Sequence, residues 1–325
     1  MPEQPPELVT VVIPAYNAAG TIDETLRSVR AQTHRALEIL VVDDGSSDAT
    51  AAIAQRHAAI DERITVLRTP NGGVAAARNH GWRHGRADLF AFVDADDLWA
   101  PDKTERQLAA LHAMPEAQLV YSGYVIIDEA SRITLEWEGV RWQGDVLDRL
   151  LVENFVGNGS AVIVTRRALE DAGGFEPALR AANAGGCEDI LFYSRVAERH
   201  PFALAPGKLI GYRYIDNNMS SDLARMLRSW RLVQAEMASR HPDRQAFMDQ
   251  GFERFARWLV RRAVLIGQPR HLPRLYAEIA RTSHVQAVRI FAGEVPRAMR
   301  DRPRLSKDPG PRFSIGTPET LPATA

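Results

Sequence analysis

Cysteine is almost absent from this 325-residue chain. Cys187 stands alone, so an internal disulfide framework is excluded and a reducing compartment is expected. Long apolar runs are missing too, and none approaches the roughly 20 residues that cross a bilayer. The opening MPEQPPELVT has neither the basic start nor the apolar core of a signal peptide, so a cytoplasmic protein is expected. The nine histidines form no H-x-x-x-H or Cys/His cluster, which argues against zinc. No repeat is visible, and no glycine loop ends in the Lys-Ser/Thr of a P-loop, which disfavours an NTPase.

What is present is an ordinary globular balance, 45% hydrophobic and 25% charged, with a marked asymmetry of charge. Residues 1–224 hold 21 basic and 32 acidic side chains, a net −11, whereas 225–304 hold 17 arginines against 7 acids, a net +10. An acidic front half repels an anionic substrate unless a cation mediates. Charge and pattern divide the chain into 1–222, a basic helical extension over 223–302, and a Pro/Gly/Ser/Thr-rich tail over 303–325 expected to be disordered.

The front third alternates apolar runs with helical patterns. LVTVVI (8–13), LEILVV (37–42), ITVL (64–67) and LFAFV (89–93) read as strands. Helices are expected after Thr21, whose Thr-x-x-Glu24 spacing is that of a capping box, after Asp48, after Gly72-Gly73, and from Pro101 to about Met114. Such strands imply an α/β sheet, mostly parallel and covered on both faces, with ligands beyond the strands' carboxyl ends. Further strands are expected near 118–127 and at 160–165, then a helix from about Glu188 to Arg199. The region past 220 reads as helices over 220–240, 245–267 and 271–300.

The chemistry-bearing residues lie where strands end. Asp94-Ala95-Asp96-Asp97 follows LFAFV, and three carboxylates in four residues call for a cation. At a turn Asp94 and Asp96 can converge on one ion, and oxygen-only ligands suit Mg²⁺ or Mn²⁺. A solvated acidic turn that caps the next helix is the alternative. Asp43 and Asp44 close the second strand, where a carboxylate can hold a base or ribose, or simply make an Asx-type turn. The segment Asn71-Gly-Gly73 to Asn79 can bring backbone close to a ligand and aim Arg78 at a phosphate, or can serve only to pack a helix. Glu188-Asp189 at a helix start is equally open, since acids there complement the helix dipole.

Together these pieces resemble a family 2 glycosyltransferase of the GT-A fold. The resemblance rests on VVIPAYN (11–17), LEILVVDDGSSD (37–48), NGGVAAARNHG (71–81), FVDADDLWAPDK (92–103), RRALEDAGGF (166–175), CEDILFYSRV (187–196) and GYRYIDNNMSSD (211–222), in order over about 8–222. It implies a GT-A sheet, a mixed and mostly parallel Rossmann-like sheet flanked by helices, followed by a helical extension. It also implies a nucleotide diphosphate-sugar donor, most often a UDP-sugar, and a hydroxyl acceptor on a glycan, lipid-linked or other glycoconjugate. Pro14, Tyr16, Asp43 and Asp44 would then line the nucleotide pocket, and Arg78 would border the diphosphate. Asp94 would contact ribose or metal, Asp96 would hold the metal, and Asp189 would be the base. The family's usual His after Tyr-Arg-Tyr is replaced by Ile215. That leaves Arg213 and Asp216 as candidates for its role, or the motif unused.

In the extension, RFARWLVRRAVLIG (254–267) mixes Phe255, Trp258, Leu259 and Leu265 with four arginines. A helix packed on its own domain or on a second copy, or lying peripherally on the inner face of a membrane, is consistent with that pattern. Nucleic-acid binding is not expected, for want of a motif or an overall basic charge. A protein that binds nucleotide sugars without catalysis is the non-enzymatic alternative. A nucleotidylyltransferase is disfavoured because VVIPAYNAAG lacks the Lys-containing glycine loop.

Overall fold

The computed structural model describes residues 6–136, 142–214, 222–265, 267–301 and 310–316. Strands β1 (Val9–Ala15), β2 (Leu37–Asp43), β3 (Ile64–Arg68) and β4 (Leu89–Phe92) alternate with helices α1 (Ile22–Arg30), α2 (Thr50–Ala58) and α3 (Val74–His84). Then follow β5 (Leu98–Trp99), α4 (Lys103–Ala113), β6 (Leu119–Ile127), β7 (Ile133–Glu136), α5 (Leu147–Val152) and β8 (Val162–Thr165). Helices α6 (Arg166–Ala172), α7 (Ala178–Ala181) and α8 (Glu188–Ala197) lead to β9 (Phe202–Arg213). The chain continues as α9 (Leu223–Arg240), α10 (Gln245–Leu265), α11 (Leu272–Ala280) and α12 (His284–Asp301).

The strands form a mixed sheet in the order β3-β2-β1-β4-β8-β6-β9-β5, with β7 paired to β6. The first four are parallel, and β1 and β2 are buried at every position, as expected of strands covered on both faces. The chain winds outward from β1 to β3 and then returns to place β4 on the other side of β1. That reversal opens a crevice at the carboxyl ends of β1 and β4, where Tyr16 and Asp94 emerge. Helix α3 lies tight on β1: a Cβ added at Gly81 would meet Val12 Cγ1 at 2.3 Å.

Several local expectations give way to tertiary contacts. Thr21 makes no side-chain cap, and Glu24 accepts instead from Ser131 Oγ (2.6 Å) and from the buried Arg213 guanidinium (2.9 Å). The two short strands near 118–127 are one nine-residue strand, β6. β9 was not foreseen, because Pro206-Gly207 interrupts its apolar pattern. The register against β6 shifts there, which lets the strand carry an internal bulge. The single helix expected over 271–300 is broken into α11 and α12 at Thr282-Ser283, where Ser283 Oγ accepts from Gln286 N (3.2 Å). Part of the tail expected to be disordered has a fixed place. Phe313 N donates to Ser131 O (2.8 Å), and Phe313 and Ile315 pack on Leu98, Val125 and Ile127.

The helical extension continues the core of the sheet domain, with Leu227, Trp230, Leu259 and Val260 buried in the same cluster as β1 and β6. Trp230 stacks on Phe255 at 4.5 Å. Its basic charge meets acids of the front half: Arg240 pairs with Glu198 (2.8 Å), Arg244 with Asp148 (2.7 Å), and Arg254 with Glu153. No helix among the described residues is long and apolar enough to cross a membrane.

The crossing of α10 over α5 depends on Gly251, where an added Cβ would lie 2.1 Å from Leu151 O. Gly251→Ala is expected to destabilise the chain by about 1–3 kcal/mol in urea denaturation. Gly20→Ala, at a site with nothing within 4 Å of the added carbon, should stay within about 0.5 kcal/mol of wild type. Equal effects would show that α10 does not pack there.

Candidate active site

The loops after β1 and β2 are tied together at one edge of the crevice. Asn17 N donates to Ser46 Oγ (3.0 Å), and Ser47 N donates to Asn17 Oδ1 (2.9 Å). Asn17 adopts a φ of 48°, one of the few non-glycine residues in the left-handed region. Pro14 is buried within β1, whereas Tyr16 is exposed at the mouth. Asp43 is buried and accepts from Ser46 N (3.1 Å) and Arg68 Nε (3.0 Å). Asp44 accepts from the backbone N–H groups of Gly72 and Gly73, both at 2.7 Å, one on each carboxylate oxygen. Asp43 therefore braces the turn after β2, and Asp44 holds the glycine pair that opens α3.

At the end of β4 the three carboxylates take different directions. Asp97 is fully buried, accepting from Ser160 Oγ (2.5 Å) and Arg213 N (2.9 Å). Burial, followed by the charges of Asp96 and Asp94, holds its pKa well above the ordinary carboxylate value. Asp94 pairs with Arg78 Nη2 at 2.6 Å, and its backbone N–H donates to Ser160 Oγ (3.0 Å). Asp96 is partly exposed. Among the described residues, no group of three or more His, Cys, Asp or Glu is arranged to hold a metal by itself. An ion completed by one or two carboxylates, water and substrate phosphates fits the oxygen donors that Asp94 and Asp96 offer.

Arg78 is the pivot of the site. It is only 4% exposed, sits over the Phe175 ring at 5.1 Å, and fits because Gly159 has no side chain. A Cβ at Gly159 would lie 2.3 Å from Arg78 Nη2. Its Nε is buried without a hydrogen bond. Burial opposes the guanidinium's charge, yet Asp94 first, then Tyr193 and Asp189, together push its pKa up.

Asp189 stands in the first turn of α8, where the helix dipole favours its charge. Asn154 Nδ2 donates to its Oδ2 at 3.3 Å. Burial raises its pKa to about 6, against the pull of Arg78 and of the Ile190 N–H. Glu188 turns the other way and accepts from Gly186 N (2.8 Å), fixing the glycine loop. Arg213, a candidate for phosphate contact, is 1% exposed and donates to Asp96 O, Asp128 O, Glu129 O, Ser131 Oγ and Glu24. It acts as a buried tie between β9, α1 and the turn after β6. Asp216 lies outside the described residues.

The structure thus brings Arg78, Asp94 and Asp189 into one electrostatic unit, with Asp96 beside it and Asp43, Asp44 and Tyr16 along the neighbouring edge. Sequence reading missed Asn154 and Ser160, which position Asp189 and Asp94 respectively. Their only signal is the run of Asn and Gly in ENFVGNGS (153–160) just before a strand. Lys103, a family-motif residue given no role, is fully buried over Trp99 at 3.7 Å, and burial holds its pKa well below the usual lysine value.

A half-parallel, half-mixed sheet whose acidic strand ends face a crevice defines a GT-A fold, the architecture of nucleotide-sugar transferases. Residues 10–173 match the family described as Glycosyl transferase family 2, and the chain belongs to that family. It is 37% identical over 125 residues to an uncharacterized glycosyltransferase of Rickettsia typhi, the match covering 38% of each chain. It is 44% identical over 102 residues to the putative teichuronic acid biosynthesis glycosyltransferase TuaG of Bacillus subtilis, covering 31% of this chain and 40% of TuaG. The matched stretch thus spans well under half the length of these curated relatives. Among solved structures, S. aureus TarS 1–349 in complex with UDP-GlcNAc aligns with a TM-score of 0.65 at 16% identity, covering 91% of this chain and 92% of that one. The mannosyltransferase PcManGT of Pyrobaculum calidifontis, in complex with GDP-Man and Mn²⁺, aligns at 0.58 and 21% identity, covering 91% and 81%. These likenesses establish the fold. Asp189 and Arg213 lie beyond the 10–173 match.

Because Asp189 has a folded pKa above that of an unfolded aspartate, its contribution to stability is present at low pH and lost as pH rises through about 6. Asp189→Asn should match wild type in urea melts near pH 4. Near pH 8 it should exceed wild type by up to about 3 kcal/mol. A constant gap at both pH values would contradict the raised pKa.

Proposed function

We propose that this chain is an inverting, metal-dependent glycosyltransferase that moves a sugar from a nucleotide diphosphate donor to an acceptor hydroxyl. The observation that carries the reading is a partly buried carboxylate of pKa about 6, Asp189, set in the field of the Arg78–Asp94 pair at the strand-end crevice. At neutral pH that carboxylate is mostly ionised, yet basic enough to accept a proton from a hydroxyl in the transition state. Asn154 orients it, and its helix-start position favours the charged form it must regain. The acceptor oxygen attacks the anomeric carbon on the face opposite the departing diphosphate, and one displacement inverts the configuration.

On the donor side, Pro14, Tyr16, Asp43 and Asp44 border the nucleotide, with the Gly72-Gly73 turn held open by Asp44. Arg78 lies beside Asp94 where the diphosphate would come, its buried charge offsetting part of the carboxylate field. Asp96 and Asp94 would hold Mg²⁺ or Mn²⁺, which when bound supplies neutralisation of charge on the leaving diphosphate. UDP is the proposed nucleotide, supported by the UDP-GlcNAc complex of TarS, which shares the fold. The proposed acceptors belong to polysaccharide, lipopolysaccharide or other glycoconjugate synthesis, in line with the printed name of TuaG. The proposed location is the cytoplasm, either free or peripheral at the inner face of the membrane.

A thermal-shift series tests the donor half. UDP, GDP and dTDP and their sugars are screened with Mn²⁺, Mg²⁺ or EDTA. One nucleotide should raise Tm in a metal-dependent way in wild type and not in Asp96→Ala. No stabilisation by any nucleotide would sink the donor assignment and favour a binding-incompetent scaffold. Transfer tests the other half. Asp189→Asn should keep the donor-induced shift while losing at least about 100-fold in kcat. Wild-type kcat/KM should rise with pH through about 6 and then level. Donor binding without turnover in wild type would leave a nucleotide-sugar-binding protein.

A further inference from the structure

Tail residues 310–316 are tied to the turn of three aspartates by two routes, one apolar and one ionic. Gly310 N donates to Ile133 O (2.8 Å), Ile133 N to Pro311 O (2.9 Å) and Phe313 N to Ser131 O (2.8 Å). The segment thus runs antiparallel to residues 131–133 at the start of β7. Phe313 and Ile315 cover the cluster of Leu98, Val125 and Ile127. A Cβ at Gly211 of β9 would lie 3.0 Å from Phe313 Cγ, and Gly211 is the register partner of Leu98. Leu98 directly follows Asp97, so these side chains bear on the backbone that carries the aspartates. Gly316, at a φ of 69°, ends the segment beside Pro101, whose Cγ would lie 2.9 Å from an added Cβ.

The ionic route runs through Glu24. Arg312 Nη2 pairs with its Oε1 at 3.1 Å, while Ser131 Oγ and Arg213 Nη2 donate to its Oε2 at 2.6 and 2.9 Å. Arg213 in turn donates from Nε to Asp96 O (2.8 Å) and from its backbone N–H to Asp97 Oδ1 (2.9 Å). Tail, Glu24, Arg213 and the Asp96 backbone therefore form one connected series. The Arg312 side chain is 67% exposed, so its ion pair adds little to overall stability. What it fixes is the direction of the Glu24 carboxylate, and through it the guanidinium that fastens Asp96.

Resting on the metal-dependent reading above, we propose that residues 310–316 are a strap that positions the Asp94–Asp97 turn for its divalent cation, with Arg312 and Phe313 as positioning residues. Carboxylates that bind one ion repel each other before it arrives, so their backbone must be held from outside the site. Groups that orient metal ligands change metal affinity without touching the metal. Here Phe313 and Ile315 hold the turn through the cluster that includes Leu98, and Arg312 holds it through Glu24 and Arg213. The strap and the general electrostatic field act in opposite senses. Loss of a nearby positive charge by itself favours cation binding, whereas loss of the strap weakens it.

The test is Mn²⁺ binding to the full chain with saturating UDP, GDP or dTDP, read from the electron paramagnetic resonance signal of the free ion. Phe313→Ser should weaken Mn²⁺ by about tenfold. Arg312→Gln should weaken it by about threefold, and Arg312→Lys should retain most of the wild-type affinity. Arg27→Gln is the control for charge alone. Arg27 borders the same groove between α1 and the tail but pairs with Asp23 on its own helix, so its loss should leave Mn²⁺ binding unchanged or slightly tighter. Melting in EDTA checks each variant's fold; if Phe313→Ser is unfolded, the exposed Arg312 variants decide. Wild-type Mn²⁺ affinity in a folded Phe313→Ser, or an Arg312→Gln that behaves as Arg27→Gln does, would overturn the strap alone. A wild type that binds no Mn²⁺ with any of the three nucleotides would overturn the metal reading and the strap together.

Discussion

Three aspartates close β4 within four residues, and the surroundings are arranged to tolerate their mutual repulsion. Asp97 is turned into the interior, where Ser160 Oγ and Arg213 N donate to it and burial favours the protonated form. Asp94 is neutralised by Arg78. Asp96 remains at the partly exposed rim. This sorting requires β8 beside β4, since Ser160 lies two residues before that strand and serves both Asp94 and Asp97. It also requires β9, whose last residue, Arg213, fastens the Asp96 carbonyl to α1 and to the turn after β6. The mixed half of the sheet is thus what allows the parallel half to end in so many like charges.

Arg78 extends the same logic across the crevice. A buried arginine is tolerated only where carboxylates and rings replace its water, and here Asp94, Asp189 and Phe175 do so. One cation therefore links the strand end proposed to meet the diphosphate with the carboxylate proposed to take the acceptor proton. Burial raises the Asp189 pKa while Arg78 restrains it, and the value of about 6 is the balance of the two. Moving either group would alter both halves of the site.

The helical extension belongs to this assembly and is not an appendage to it. Its aromatic face, from Trp230 to Phe255, closes the core, and its arginines pair with acids of the sheet domain. The −11 and +10 halves visible in composition meet within one chain, although each exposed pair contributes little by itself.

Much of this was legible before folding. Apolar runs such as LVTVVI and LEILVV become strands buried on both faces because little else satisfies so many consecutive apolar residues. Carboxylates directly after such runs emerge at the carboxyl edge of the sheet for the same reason. The family resemblance through VVIPAYN, DDGSSD, DADD and CED was legible too, since it depends on residue order alone. Tertiary structure decided the partners. The Thr21–Glu24 spacing signals a local cap, yet Glu24 is drawn to Arg213, 189 residues away. Asp44 holds Gly72 and Gly73, β9 accommodates Pro206-Gly207 by a bulge, and Phe313 of the tail docks on Ile127. Period, hydropathy and turn chemistry are properties of neighbouring residues and can be read along the chain. Which cation meets which carboxylate is an electrostatic choice among groups far apart in sequence, made only when packing removes the water between them.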